Sequence, residues 1–178
     1  AKISQPLPQV DLKKEPSHLD VARSCNNLGA LYDTLGEYGH AEPLYLRANQ
    51  IYENLLGKQH LETARGYNNL GTLYKNQGKY KRAKPFLQKA VQLHECIFGQ
   101  QHPLTANSYN NLGVLYQAQG KFKRAELLLL KAFKNIVRCL GLQHPQSLIF
   151  RNNLIFLYKS MGLSDNAIEN KLHMECGS

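Results

Sequence analysis

A short motif that returns at a fixed interval constrains this chain more than any other feature. The interval is 42 residues, and the copies are CNNLGALY at 25–32, YNNLGTLY at 67–74, NNLGVLY at 110–116 and, more loosely, NNLIFLY at 152–158. Other positions keep the same interval: Gly36, Gly78, Gly120 and Gly162; Ala41, Ala83, Ala125 and Ala167; His18, His60, His102 and His144. A period of about 20–50 residues is typical of stacked repeats, in which each unit buries its apolar face against its neighbours.

Each unit has the spacing of two helices. Apolar residues recur every three or four positions, which is the period of one helix face. The first face comprises Ala22, Cys25, Leu28, Gly29, Leu31, Tyr32 and Leu35, and the second comprises Ala41, Leu44, Tyr45, Ala48, Ile51, Tyr52 and Leu55. Gly36 is predicted to end the first helix, and Gly57 the second, which begins at about Tyr38. Pro43 and Pro85 are expected in about the first turn, where proline loses little hydrogen bonding.

Glycine inside the first helix of three units predicts close helix packing. Gly29, Gly71 and Gly113 share one position, although glycine in mid-helix costs about 0.5–1 kcal/mol relative to alanine. The fourth unit has Ile155 there and a shorter second helix, predicted at 164–174. An atypical last unit is expected of an end cap.

We divide the chain into five segments. Residues 1–17 contain three prolines and no helical period, so we interpret them as an extended arm or linker. The repeat units are 18–59, 60–101, 102–143 and 144–176, the last being an atypical C-terminal cap. The predicted fold class is all-α, an array of helix pairs.

These motifs resemble the tetratricopeptide repeat. The resemblance rests on Leu-Gly-x-x-Tyr in the first helix, glycine at the turn, and alanine early and late in the second helix. The 42-residue length, Asn-Asn-Leu, Gly-Lys-Tyr/Phe, Ala-Glu-Pro-Leu at 41–44 and the Gly-x-x-His-Pro linkers at 99–103 and 141–145 are similar to the kinesin light chain type. The resemblance implies a right-handed superhelical solenoid of about four repeats, made of antiparallel helix pairs. Its first helices would line a concave groove that receives extended or helical peptides.

In kinesin light chains the corresponding groove takes acidic cargo peptides through Arg and Asn side chains. The resemblance therefore implies binding residues on the face opposite the apolar stripe. Our candidate groove contacts are Arg23, Asn27, Thr34, Arg65, Asn69, Thr72, Asn76, Asn107, Asn111, Val114, Asn153 and Phe156; Ala30, Ala118, Ile149 and Ser160 complete that face. An asparagine amide can donate and accept at once, which suits a peptide backbone, and arginine offers a planar fork for a carboxylate.

The first asparagine of each pair has two open roles. One is groove contact, and the other is a structural bond to a backbone group in the adjacent helix. The residues concerned are Asn26, Asn68, Asn110 and Asn152.

The formal net charge of +9 is concentrated in the middle of the array. The second and third units carry +5 each, whereas the first carries −2. A basic edge is predicted at the turns and the starts of the second helices: Lys79, Lys81, Arg82, Lys84, Lys121, Lys123 and Arg124. Three interpretations stay open, namely a solvated edge, a contact for acidic proteins, and a nucleic-acid contact without a recognised binding motif.

The sequence predicts neither an enzyme nor a cofactor or metal site. The phosphate-loop, zinc-protease and nucleophile-elbow patterns are absent from it. The histidines come one per unit, too far apart to share metal bonds of about 2 Å, so we expect them to pack at helix starts. A chaperone-tail receptor is disfavoured, because Asn107 and Asn111 stand where that family has cations.

Cysteine usage and hydropathy favour an intracellular protein. The four cysteines show no paired spacing, no run of 18 apolar residues occurs, and the first residues lack the apolar core of a secretory signal. We expect a cytoplasmic location and no membrane span.

The predicted function is a non-catalytic adaptor or scaffold module that binds an extended, acidic peptide segment of a protein partner in the concave groove. One alternative is an assembly scaffold, with its groove filled by residues 1–17 or with homo-oligomers formed through the array ends. A more distant alternative is nucleic-acid binding through the basic edge.

Overall fold

The computed structural model describes residues 17–176, with side chains as far as Met174. Over that range the chain forms eight helices and no strand. They are α1 (His18–Thr34), α2 (Tyr38–Leu56), α3 (Leu61–Asn76), α4 (Tyr80–Phe98), α5 (Pro103–Ala118), α6 (Phe122–Leu140), α7 (Pro145–Ser160) and α8 (Asp165–Cys176). The predicted arm, apart from Ser17, lies outside the described residues.

Consecutive helices pack against one another along the array. α1 packs on α2, α3 on α4, and α5 on α6, while the contacts α2–α3, α4–α5 and α6–α7 join these pairs into one stack. The odd-numbered helices also touch from one pair to the next, as α1–α3, α3–α5 and α5–α7. The predicted all-α repeat solenoid is confirmed, whereas the exact unit boundaries stay a prediction.

A glycine in the left-handed conformation follows each odd-numbered helix. These are Gly36, Gly78, Gly120 and Gly162, with φ between 69° and 83°. At the first of them, the Glu37 N–H donates to the Tyr32 carbonyl at 2.9 Å and the Gly36 N–H to the Asp33 carbonyl at 3.0 Å. This pair of bonds is a Schellman motif. Because an L side chain is strained at such φ values, glycine fixes the turn into the even-numbered helix.

Histidine caps three of the odd-numbered helices. The Nδ1 atoms of His60, His102 and His144 each accept the backbone N–H two residues later, at 3.1–3.2 Å. In α1 the cap is Ser17, which forms a capping box with Asp20, and His18 is the first helical residue. A cap satisfies one of the free N–H groups of a first turn, so the expectation of packing at helix starts is confirmed.

The glycines inside odd-numbered helices stand where the paired helix comes closest. A β-carbon on Gly71 would lie 2.5 Å from Leu87 Cγ, and one on Gly113 would lie 2.8 Å from Leu129 Cγ and Cδ2. At Gly29 the nearest atom would be Tyr45 Cδ1, at 3.0 Å. The predicted close packing is confirmed, and it is tighter in the two central pairs than in the first.

The predicted apolar face of the first helix is wrong in part. Leu28, Leu31 and Leu35 are 42%, 55% and 62% exposed, and Leu55 of α2 is also exposed. The equivalent leucines of the next two pairs, Leu70, Leu73, Leu112 and Leu115, are buried. For Leu28 and Leu31 the physical reason is position, because α2 packs on α3 and α4 packs on α5, whereas among the described residues no helix precedes α1. Leu55 faces solvent as its equivalent Ile97 does.

The two helix prolines lie deeper than expected. Pro43 and Pro85 are the sixth residues of α2 and α4, which places them in the second turn instead of the first. Proline there leaves the carbonyl four residues earlier without its helical donor. For Pro43 that carbonyl belongs to Gly39, which is exposed, so water can take the place of the missing donor.

Each junction between helix pairs has its own chemistry. At the first, Asn49 is buried against Gly66, where a β-carbon would meet the Asn49 Oδ1 atom at 2.3 Å. At the second, buried His94 forms a 2.7 Å hydrogen bond with Ser108. Burial, followed by the charges of His102 and Arg65, lowers the pKa of His94.

The third junction and the last helix pair differ again. Phe133, Ile136 and Phe150 are buried where α6 packs on α7, so this junction is apolar. Helix α8 has 12 residues, against 19 for each of the other even-numbered helices. The shortening agrees with the prediction, with the start and end displaced by one and two residues.

Candidate functional site

The odd-numbered helices provide the inner surface of the array. They are the helices that touch across successive pairs, so they lie on the side with the tighter curvature, and such curvature produces the concave binding surfaces of solenoids. None of the candidate groove residues is buried. Arg23, Asn27, Thr34, Arg65, Asn76 and Phe156 are exposed, while Asn69, Thr72, Asn107, Asn111, Val114 and Asn153 are half-buried.

The N-terminal end of this surface is polar. Arg23, Asn27 and Arg65, with Asn26, Tyr52 and Glu62, line a cleft of about 220 Å³. Both Nη1–Oε distances between Arg65 and Glu62 are 3.1 Å, and Arg23 lies 3.7 Å from Asp20. Exposed pairs of this kind contribute about 0–1 kcal/mol. A carboxylate on a ligand can therefore replace either acid at little cost.

A ladder of asparagine side chains runs between successive odd-numbered helices. The Nδ2 atom of the second asparagine in a pair donates to Oδ1 of the first asparagine in the preceding pair. The bonds are Asn69 to Asn26 at 2.8 Å, Asn111 to Asn68 at 3.0 Å, and Asn153 to Asn110 at 2.8 Å. Asn26, Asn68 and Asn110 thus have a structural role, but the predicted backbone partner is wrong, because each accepts from a side-chain amide; Asn152 is not part of these three bonds. An amide carries two N–H donors, so one bond in the ladder leaves the other for a ligand.

Several other polar groups of the predicted groove are already bonded. Thr34 donates to the Ala30 carbonyl at 2.8 Å, and Asn76 donates to Asp33 at 3.2 Å. Asn107 accepts from the Gln146 amide. The Thr72 hydroxyl oxygen is buried and finds no hydrogen-bond partner among the described residues. These contacts leave the arginines and the ladder asparagines as the main polar groups for a ligand.

The C-terminal end of the inner surface is apolar. Val114, Asn153 and Phe156 line a cleft of about 610 Å³ together with Gln117, Ala118, Gly120, Phe122 and Ser160. Phe156 is 67% exposed and the nearby Ile149 is 56% exposed. Gln117, Gly120 and Phe122 were not predicted. The signal for Phe122 was its place directly after the turn motif, where the chain passes from the odd-numbered to the even-numbered helix.

The predicted basic edge is partly neutralised. Arg82 Nη2 lies 3.0 Å and Lys79 Nζ 3.8 Å from the Glu42 carboxylate, and the Tyr74 hydroxyl donates to the same carboxylate at 2.9 Å. Burial alone would raise the pKa of Glu42, but the Tyr74 hydroxyl and the two cations outweigh burial and hold that pKa below its ordinary value. The second-unit part of the edge is therefore less available to a partner than its sequence indicated.

Other kinds of site find no support in the described part of the chain. Within it, no group of three or more His, Cys, Asp or Glu side chains could hold a metal ion. No described helix is both long and apolar enough to cross a membrane. Cys25, Cys96 and Cys139 are free thiols, of which only Cys25 is buried.

Comparison with known proteins gives two findings. Residues 20–95 and 62–136 match a family model described as a tetratricopeptide repeat. A search of curated proteins found no match.

Solved structures are also similar. BtubC (BKLC) from P. vanneervenii superimposes with a TM-score of 0.72 at 28% identity, covering 85% of this chain and 60% of that one. The nearly identical TPR-like repeats of a kinesin light chain-like protein from Podosopora anserina superimpose with a TM-score of 0.73 at 25% identity, covering 84% of this chain and 69% of that one. This chain thus spans less than two thirds of BtubC.

Proposed function

The chain belongs to the tetratricopeptide repeat family, and on that premise we propose that it is a non-catalytic adaptor whose inner surface binds an extended, acid-containing segment of a partner protein. Repeats of this family form protein–protein interaction modules and are generally not catalytic. The predicted resemblance to kinesin light chain-like repeats is confirmed by the similar structures.

One observation carries the proposal. A row of exposed and half-buried side chains follows the inner surface through all four odd-numbered helices, from Arg23 in α1 to Phe156 in α7. An extended segment lying across these helices would meet two arginines first, then the asparagine ladder, then the apolar cleft around Phe156. Such a ligand would have an acidic residue at one end and a large apolar residue at the other.

The asparagine ladder supports an extended ligand conformation. Its spare amide groups can donate to and accept from a peptide backbone without selecting side chains. Affinity would then come from backbone bonds and the apolar anchor, and preference for acid from the two arginines and the net charge of +9. We expect dissociation constants on the order of micromolar, or about −8 kcal/mol.

A peptide-array screen tests this function. The intact chain is compared with the triple variant Arg23→Ala/Asn69→Ala/Arg65→Ala on acidic and neutral peptides. A matched control, Arg47→Ala/Asn54→Ala/Lys58→Ala, removes the same charge and one amide from exposed positions outside the odd-numbered helices.

We expect acidic peptides to bind the intact chain and the control, and to be lost from the groove variant. Equal binding by all three proteins would refute the groove assignment. Equal loss from both variants would show that net charge, and not the groove, selects the peptides.

A second candidate is assembly through the N-terminal end of the array. The exposed Leu28 and Leu31 support it, because their equivalents in later pairs are buried by a neighbouring helix. Sedimentation velocity should then detect dimers that Leu31→Glu abolishes. A monomer across a wide concentration range would exclude this candidate.

We also infer a reducing, intracellular setting. The free thiols of Cys25, Cys96 and Cys139 support it, since disulfides persist mainly in oxidising compartments. Mass spectrometry of the protein from its native cell should find these thiols reduced, and a disulfide at any of them would contradict this setting.

A further inference from the structure

Three positions in register along the array hold a carboxylate, a lysine and a carboxylate. They are Glu42 in α2, Lys84 in α4 and Glu126 in α6, each 42 residues from the next. Each lies in the even-numbered helix that directly precedes an odd-numbered helix with a tyrosine, and these tyrosines are Tyr74, Tyr116 and Tyr158. At the first and third positions the acid pairs with a cation beside the tyrosine, and the lysine at the second position cannot form such a pair.

At the first position the carboxylate gathers three groups of the next helix pair. Glu42 Oε1 accepts from the Tyr74 hydroxyl at 2.9 Å and from Arg82 Nη2 at 3.0 Å, and Lys79 Nζ lies 3.8 Å from Oε2. Arg82 also lies over the Tyr74 ring, 4.1 Å from its centroid. One carboxylate thus pairs with two cations at the turn between α3 and α4.

At the third position the arrangement is similar, although the cation comes from another place. Glu126 Oε1 lies 2.5 Å from Lys171 Nζ, and that nitrogen is 4.5 Å from the centroid of the Tyr158 ring. A carboxylate from the preceding even-numbered helix again pairs with a cation beside the tyrosine.

The second position has the cations without the acid. Lys121 and Arg124 are the equivalents of Lys79 and Arg82, but Lys84 stands in place of the glutamate. Arg124 lies 5.9 Å from the Tyr116 ring centroid, farther than Arg82 from Tyr74, and Lys121 Nζ is 2.9 Å from Gln119 Oε1. Lys121, Phe122, Lys123 and Arg124 line an open cleft of about 420 Å³ with Gly120.

We propose that the cleft at the turn between α5 and α6 binds a glutamate or aspartate side chain of a partner protein, which takes the place that Glu42 occupies one pair earlier. The two equivalent positions identify the ligand chemistry, because both are filled by carboxylates of this chain. Charge-assisted bonds from a guanidinium and an ammonium to one carboxylate are strong and directional.

The site extends the proposed function without depending on it. Gly120 and Phe122 line both this cleft and the apolar cleft of the inner surface, so a segment leaving the groove past Phe122 would bring its next acidic residue to Arg124. A carboxylate can also reach the cleft from outside the groove, because the cleft is on the edge of the array.

Placing a carboxylate of this chain in the cleft tests the proposal. Lys84→Glu restores the acid at the position of Glu42. It is made in the groove variant Arg23→Ala/Asn69→Ala/Arg65→Ala, so that the groove does not bind the probe, a fluorescein-labelled peptide of ten glutamates measured by anisotropy at fixed ionic strength. We expect binding to weaken roughly tenfold to a hundredfold, the effect of losing one or two charge-assisted bonds. Lys81→Glu is the control, since it makes the same charge change at an exposed residue of the basic edge. It should weaken binding by less than about threefold.

The reverse change should create a second site. Glu42→Lys removes the acid that pairs with Lys79 and Arg82. In the groove variant Arg23→Ala/Asn69→Ala/Arg65→Ala, whose groove site is lost, we therefore expect the stoichiometry of glutamate-peptide binding to rise from one to two. Equal weakening by Lys84→Glu and Lys81→Glu, or no gain from Glu42→Lys, would overturn the proposal.

Two further binding measurements distinguish this cleft from the groove and from a phosphate-binding site. The groove variant Arg23→Ala/Asn69→Ala/Arg65→Ala should lose the groove site and still bind one glutamate peptide at the cleft, so this site can fail while the groove stands, and the reverse. A ten-nucleotide oligothymidylate should bind more weakly than the peptide. Tighter binding of the oligonucleotide, with the same loss in Lys84→Glu, would assign the cleft to phosphates and overturn the carboxylate assignment.

Discussion

Replacing Gly71 by alanine is the sharpest test of the packing between paired helices. The new β-carbon would lie 2.5 Å from Leu87 Cγ, 2.7 Å from Cδ2 and 3.1 Å from the Leu87 backbone nitrogen. A branch point and a backbone atom cannot move away as the end of a flexible side chain can. Overpacking of a core costs about 1–3 kcal/mol, while alanine regains about 0.5–1 kcal/mol of helix propensity over glycine. We expect a net loss of about 1–2 kcal/mol.

Chemical and thermal denaturation followed by circular dichroism measure this loss. For a chain of this size 1 kcal/mol corresponds to about 2–4 °C in Tm, so Gly71→Ala should melt about 2–8 °C below the parent. Gly29→Ala should lose less, because its nearest contact is the edge of the Tyr45 ring at 3.0 Å. Gly39→Ala is the matched control, since it adds a β-carbon in a helix with nothing within 4 Å.

The ranking decides the outcome. If Gly71→Ala is as stable as the parent, or gains as much as Gly39→Ala, then close approach of α3 and α4 does not explain the glycine. A loss at Gly29 larger than at Gly71 would equally contradict the distances.

Three further results are expected. Leu73→Ala should cost about 2–5 kcal/mol in urea denaturation, whereas Leu31→Ala, at an equivalent but exposed position, should cost at most about 1 kcal/mol; equal losses would mean that α1 is covered in solution. Burial lowers the pKa of His94, so the unfolded chain binds a proton at higher pH than the folded chain, and the free energy of unfolding should fall as pH drops below about 6.5. His94→Gln should make the free energy of unfolding depend less on pH in this range, and an unchanged pH profile would contradict the role given to His94. A double-mutant cycle of Asn68→Ala and Asn111→Ala should give a coupling of about 0.5–1.5 kcal/mol, while additive losses would show that the ladder bond contributes nothing.

The repeat itself made most of the fold predictable. An interval of 42 residues, with glycine after each odd-numbered helix, was enough to locate the turns and to predict that Gly71 and Gly113 are packed against a neighbouring helix. The exposure of Leu31 was not predictable in the same way, because periodicity shows that a face is apolar but not whether another helix covers it. Whether the face is covered depends on the neighbouring helices and not on the residue itself.

The groove was harder to predict than the fold. Spacing places Asn69 and Asn111 on the inner face, yet their bonds to asparagines 43 residues earlier arise only when the pairs stack with a particular offset. Likewise, Glu42 and Arg82 are 40 residues apart, so a count of basic residues overstated the free charge of the edge. Side-chain partners across repeats depend on three-dimensional offset, which one sequence does not state.

The different chemistry of the three junctions has a consequence for folding fidelity. A chain of nearly equivalent helix pairs could in principle mispair by one unit, joining α2 to α5 or α4 to α7. In the first case Ser108 would bring its side chain to the place where Asn49 leaves no room even for a β-carbon. In the second, Phe150 would face His94, and the imidazole would lose its bond to Ser108. The three junctions are thus not interchangeable, so each helix pair packs better on the next pair along the chain than on any other. This difference disfavours slipped or domain-swapped forms.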